Sequence, residues 1–193
     1  MLEGSGEKME YPIEIAGVKR ILRLFPVSDK LQIAAFILLG DVEMSVCAAQ
    51  GLLERVPGFD VIVTPEAKSI PLAHEMSRQS GKPYLVARKG LKVYMSDVLS
   101  NETRSITTAH DQTLYLDGGE AAQLRGKKVL LVDDVISTGA TLRSLAGLVG
   151  QAGGEIVGAA AVLAEGDAAK RSDIVFLEAL PLFDGDGNPL LCE

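Results

Sequence analysis

The run Val129-Leu130-Leu131-Val132-Asp133-Asp134-Val135-Ile136-Ser137-Thr138-Gly139-Ala140-Thr141 constrains this chain more than any other stretch. Val129 to Val132 is wholly apolar, as expected of a central parallel strand covered on both faces. Such a strand delivers two adjacent acids to the carboxyl edge of its sheet, the edge where ligands sit in open α/β folds. A loop of small residues follows, in which Gly139 permits backbone angles that larger side chains resist. A ligand can therefore approach the main chain closely, and successive N–H groups can form an anion nest at the start of the next helix. The hydroxyls of Ser137, Thr138 and Thr141 add donors, while Ala140 keeps the approach open. The loop suits a phosphate monoester, and Asp133 and Asp134 suit the ribose hydroxyls beside it. Alone, an Asp-Asp pair is a solvated strand end and Ser-Thr-Gly a helix cap. The unbroken order of strand, acids, loop and helix is what points to a site. A Walker-type loop is excluded, because Gly-Lys-Ser/Thr is absent.

Around this run the pattern predicts an α/β protein with a mostly parallel twisted sheet flanked by helices. Tyr11 to Leu24 reads as a hairpin turning at Ala16-Gly17. Lys30 to Leu39 fits either a buried strand or a helix. Asp41 is placed to cap a helix running to about Arg55, before Pro57-Gly58. From Gly58 the rhythm becomes strand, loop, helix: a strand over 60–63, a helix over 71–80 stopped by Gly81, and a strand over 84–87. Residues 88–112 are polar and lack a sustained period, so they read as a long excursion or hairpin. Thr113 to Leu116 is a short strand that Gly118-Gly119 breaks. A helix over 141–152 and strands over 156–163 and 174–177 complete the pattern. No internal repeat or interdomain linker is visible, which predicts one domain over 1–193 with its core at about 58–176.

Composition narrows the function classes. The chain is 47% hydrophobic with a net charge of −7, its acids and bases mixed throughout. A nucleic-acid face would need a basic stripe, and none is present. Cys47 and Cys192 lack CxxC spacing and a neighbouring His, so neither a disulfide framework nor a zinc site is expected, and a cytoplasmic protein is. The start, MLEGSGEKME, is too polar for a signal peptide, and Ile33 to Leu39 is too short to span a bilayer.

VLLVDDVISTGATL resembles the phosphoribosyl-diphosphate signature of type I phosphoribosyltransferases, purine branch, and related features run from about Gly58 to Leu163. The resemblance implies that Asp133 and Asp134 contact the ribose 2′- and 3′-hydroxyls. It gives the 5′-phosphate to Ser137, Thr138, Gly139, Ala140 and Thr141. It also implies a small hood, built here from about 1–57 and 177–193, and a mobile hairpin loop. A second run, Thr64-Pro65-Glu66-Ala67-Lys68-Ser69, is similar to the diphosphate loop of adenine and xanthine phosphoribosyltransferases, with Ser69 where Gly is common. In that family the loop carries a strained peptide bond and offers its amides to diphosphate.

Ala87-Arg88-Lys89 follows the next strand. There Arg supplies a planar fork and Lys a point charge for diphosphate oxygens. The resemblance favours Arg88, reaching a neighbouring subunit's site in a homodimer. Relatives carry a catalytic lid at 90–112, with Lys92, Arg104 and His110 as its polar candidates here. Ser105-Ile106-Thr107-Thr108 looks like the xanthine phosphoribosyltransferases and the purine-operon repressors. His74 reads as structural.

The implied reaction displaces diphosphate from C1 of phosphoribosyl diphosphate by a purine nitrogen. Mg²⁺ would be held mainly through the substrate rather than by a preformed metal cage. The overall sequence best resembles the adenine group, so adenine is the first expected base and xanthine the alternative. A non-catalytic phosphoribosyl-diphosphate sensor is the rival class, although the residues before Gly58 lack the basic recognition helix of the related repressors. An orotate enzyme is disfavoured by the purine-type Glu66-Ala67 loop.

Overall fold

Two ladders of opposite character build the protein. A computed structural model describes residues 9–103 and 112–190. Residues 1–8, Arg104, Ser105 to Thr108, His110 and Cys192 lie outside the described residues. The hairpin β1 (Glu10–Ile15) and β2 (Val18–Ser28) forms as its alternation predicts, with Ile13, Ile15, Val18 and Leu22 turned into the core. The ambiguous segment after it is a strand, β3 (Leu31–Ala35), because it pairs antiparallel with β2.

Helix α1 (Val42–Leu53) starts where Asp41 was placed to cap it. The Asp41 carboxylate accepts from the Met44 amide at 3.1 Å and from Arg20 Nε and Nη2 at 2.7 and 2.8 Å. The Arg20 guanidinium holds the Asp41 carboxyl below its ordinary range, and the Met44 amide adds to this. Asp41→Ala is expected to cost about 1–2 kcal/mol at pH 7, lowering Tm by roughly 2–6 °C. A lowered carboxyl stabilises above its unfolded value of 3.8 and loses that contribution as pH falls. The gap between wild type and variant should therefore narrow below about pH 4. Equal melts at pH 7 would show that Asp41 does not anchor the helix.

The parallel sheet has the order β10-β9-β8-β4-β5, made from β4 (Val61–Pro65), β5 (Tyr84–Ala87), β8 (Lys128–Ile136), β9 (Glu155–Glu165) and β10 (Val175–Leu180). Its central strand is apolar because both faces are covered. Leu130 and Val132 pack with α1 and α2 (Ile70–Ser80), while Val129 and Leu131 pack with α4 (Ala140–Gln151). Burying each such side chain contributes about 1.5–3 kcal/mol. Helix α2 ends at Gly81 as its pattern predicts. His74, exposed on α2, stands edge-on to the Tyr84 ring at 5.9 Å.

The excursion after β5 returns as a separate hairpin, β6 (Leu99–Thr103) with β7 (Gln112–Leu116). Gly118-Gly119 does not simply break the chain. It opens the short helix α3 (Gly118–Ala122), because the Asp117 carboxylate accepts from the Gly119 amide at 2.9 Å and clamps the Ser96 amide at 2.8 Å. A 3₁₀ turn (Gly166–Lys170) follows β9. Finally β11 (Leu182–Phe183) and β12 (Pro189–Leu190) extend the N-terminal sheet to the order β1-β2-β3-β11-β12, with Phe183 opposite Gln32. No described helix is long and apolar enough to cross a membrane.

Candidate active site

The chain leaves β4 toward β5 on one side and β8 toward β9 on the other, so the sheet order reverses between β4 and β8. Open α/β sheets bind ligands in the crevice outside the carboxyl ends at such a switch point. A cavity of about 330 Å³ lies there. Glu66, Ala67, Lys68 and Ser69 come to it from the end of β4, Lys89 from the end of β5, and Asp133, Asp134, Ser137 and Thr141 from β8 and its loop. Beside it a smaller hollow of about 40 Å³ is lined by Asp133 and the run from Val135 to Leu142, Thr138, Gly139 and Ala140 included.

The acid pair sits inside β8 rather than past its end, since the strand keeps its register with β9 through Asp133↔Ala161 and Ile136↔Ala164. Both acids are 8% exposed. The Asp134 amide donates to Asp133 Oδ1 at 2.9 Å. Burial pushes the Asp133 carboxyl well above its ordinary range, the charge on Asp134 pushes it further, and the hydrogen bond from the Asp134 amide opposes the rise.

Ser69 has a job that glycine could not do. It precedes α2 without capping it. Its buried hydroxyl accepts from Thr64 Oγ1 at 2.9 Å and donates to the Pro65 carbonyl at 3.0 Å. The side chain thus ties the loop after β4 to the strand end. The Glu66–Ala67 peptide bond in this loop is cis. Glu66 reaches across to the next strand end, its Oε2 accepting from the Lys89 amide at 2.9 Å and its Oε1 lying 4.0 Å from Lys92 Nζ. Arg88 is placed differently from Lys89. It stands outside the cavity, pairs through its backbone with Tyr115, and lies 3.9 Å from Glu120. Beyond it Leu91, Val93 and Tyr94 are exposed.

The loop after β8 leaves the first turn of α4 without a side-chain cap. Apart from the Ala140 amide, which donates to Thr138 Oγ1 over a long 3.4 Å, its amides are therefore placed for an anion at the positive end of the helix dipole. Gly139 adopts φ +73, and a Cβ there would meet Arg171 Nη1 at 2.6 Å. The positive φ is what favours glycine here, since the tip of Arg171 could shift aside. Arg171 is held by a two-point contact to Asp173, at 2.9 and 2.7 Å, and Arg143 donates to the Thr138 carbonyl at 3.1 Å. Two cations therefore flank the loop, and the motif alone did not reveal either.

Two further contributors also escaped the motif reading. Ile33, Ala34 and Ala35 of β3, with Phe36 just after it, form an apolar wall, and Glu165 closes the end of β9. The wall was hidden in the segment whose strand or helix character the pattern left open. Glu165, an acid one strand over from Asp133-Asp134 at the same sheet edge, could have been noticed from its place at the end of an apolar run.

Comparison with known proteins agrees with this geometry. The profile of the family described as "Phosphoribosyl transferase domain" matches residues 49–183. A hypoxanthine/guanine phosphoribosyltransferase of Methanococcus voltae is 33% identical over 145 residues, 75% of this chain and 71% of that protein. An adenine phosphoribosyltransferase of Thermotoga sp. is 36% identical over 99 residues, 51% of this chain and 55% of the other. Among solved structures, the adenine phosphoribosyltransferase of Thermoanaerobacter pseudethanolicus shares the fold with a TM-score of 0.63 at 21% identity, covering 89% of this chain and 95% of that one.

Proposed function

This chain belongs to the phosphoribosyl transferase family, and we propose that it transfers phosphoribose from phosphoribosyl diphosphate to a purine base, releasing diphosphate. One observation carries the proposal: a single cavity at the sheet's switch point is lined by an acid pair, a helix-opening loop and a cation-bearing loop. In the reaction the C1–O bond to diphosphate breaks while a C1–N bond to the purine forms. The transition state has oxocarbenium character, so orientation and charge placement supply most of the acceleration.

Asp133 and Asp134 hold the ribose hydroxyls as acceptors. Ser137, Thr138, Gly139, Ala140 and Thr141 hold the 5′-phosphate through main-chain amides and hydroxyls. The loop from Glu66 to Ser69 and the Lys89 ammonium face the diphosphate, with Lys92 on the segment that closes over it. Water exclusion by that segment protects the activated sugar from hydrolysis. The base lies against the apolar wall of β3, beneath the sheet assigned to the hood.

Among the described residues no cluster of three or more His, Cys, Asp or Glu is placed to hold a metal ion. The acid pair beside a diphosphate site fits Mg²⁺ taken up mainly through substrate oxygens. Such an ion would neutralise charge on the leaving diphosphate. Arg88, turned away from its own cavity, would serve a second copy in a homodimer.

The Methanococcus relative favours a 6-oxopurine, hypoxanthine or guanine, as the base. The shorter Thermotoga match favours adenine, the base the sequence resemblance put first. Incubating the protein with phosphoribosyl diphosphate, Mg²⁺ and an equimolar mixture of adenine, hypoxanthine, guanine and xanthine, then identifying the nucleotide by mass spectrometry, decides between them. Binding of phosphoribosyl diphosphate with no diphosphate released from any base would replace the transferase reading with that of a sensor.

A further inference from the structure

Glu165 is the cavity group that the sugar-phosphate chemistry leaves unused. It ends β9, beside Leu180 of β10, and lines the cavity together with Ile33 to Phe36. Its carboxylate has no hydrogen-bond or ion-pair partner among the described residues, and it does not cap the 3₁₀ turn that begins at the next residue. Burial pushes its carboxyl above the ordinary range, with no neighbouring cation to offset the rise. A half-buried carboxylate without donors costs free energy until a ligand supplies them.

The apolar strip of β3 suits the face of a flat ring, while an ionised carboxylate accepts hydrogen bonds and donates none. Purines differ in what their edges offer to such a group. Guanine presents its N1–H and 2-amino group side by side, two donors for two carboxylate oxygens. Hypoxanthine offers N1–H alone. Adenine sets its 6-amino donor beside the lone pair of N1, which a carboxylate repels.

Resting on the transferase reading above, we propose that Glu165 selects the base, accepting from paired N–H donors and so favouring a 2-amino-6-oxopurine over a 6-aminopurine. The informative variant is Glu165→Gln, whose carboxamide offers one acceptor and one donor and so matches the adenine edge. The ratio of kcat/KM for guanine to that for adenine should fall about 10–100-fold, with the dissociation constant for phosphoribosyl diphosphate unchanged. Glu165→Ala should weaken guanine without any gain for adenine, separating recognition from packing. A wild-type protein that turns over purines while Glu165→Gln leaves the ratio unmoved overturns this inference alone. Equal loss for every base, or weakened phosphoribosyl diphosphate binding, makes Glu165 structural and also overturns it. A wild-type protein that turns over no purine overturns it together with the transferase reading.

Discussion

Asp134→Asn combined with Thr138→Ala should lower affinity for phosphoribosyl diphosphate by about 100-fold or more, measured by calorimetry with the base absent. Asp134 is 8% exposed and lines the cavity on β8, so on the proposed reading its side-chain oxygens would accept from sugar hydroxyls where water competes poorly. A hydrogen bond to a charged group is worth about 1.5–3 kcal/mol. Thr138 belongs to the loop hollow, where its Oγ1 lies 3.4 Å from the Ala140 amide at the opening of α4. Removing its hydroxyl deletes one donor while leaving the main-chain nest intact, so roughly another 1 kcal/mol is lost. Neither change removes core volume, and both variants should melt within a few degrees of wild type. Unaltered affinity in the double variant would mean that the acid pair and the loop after β8 do not hold this ligand at all.

The loop after β8 was legible in the sequence because the arrangement of the site proposed there is local. One strand, two acids and one helix start occupy consecutive positions, and chain connectivity alone brings them together. The same holds for Asp41, whose cap lies within the turn it caps. The apolar wall from Ile33 to Phe36 was not legible. β3 pairs with β2 next to it and with β11 at the far end of the chain, Gln32 opposite Phe183, and the second, long-range pairing leaves no periodic signal in either segment. Arg171 was missed for a similar reason: it meets Gly139 because β9 returns beside β8, a relation set by the sheet and not by spacing. Ser69 shows the opposite limit. Against a family pattern it looks like a departure from glycine. In the fold its hydroxyl links Thr64 and Pro65, a role visible only once the loop has folded back on the end of β4. Arg88 and Lys89 are adjacent and chemically alike on paper, yet strand geometry sends only Lys89 into this cavity.

Asp133→Asn should make the protein more stable at neutral pH while lowering turnover at least about 100-fold. The Asp133 carboxyl is buried, and its neighbour Asp134 adds a like charge, so the folded chain holds the Asp133 proton more tightly than the unfolded chain does. The folded state then binds more protons than the unfolded state above the ordinary value of 3.8. Stability consequently falls as pH rises from there, until the folded carboxyl itself ionises, and stays lower beyond that point. An asparagine has no proton to lose and keeps an oxygen for the Asp134 amide, which now donates to Asp133 Oδ1. Relief of about 1–3 kcal/mol at pH 7 is expected, raising Tm by roughly 2–10 °C. The advantage should shrink as pH falls and vanish below the unfolded value of 3.8, where the aspartate is protonated in both states. Activity moves the other way, because the neutral amide is a weaker acceptor for ribose hydroxyls than the carboxylate and cannot balance charge developing on the sugar ring. A variant that melts at or below wild type across about pH 4–8 would show that the buried acid pair imposes no penalty on the fold, and that Asp133 is held in place for structure rather than for chemistry.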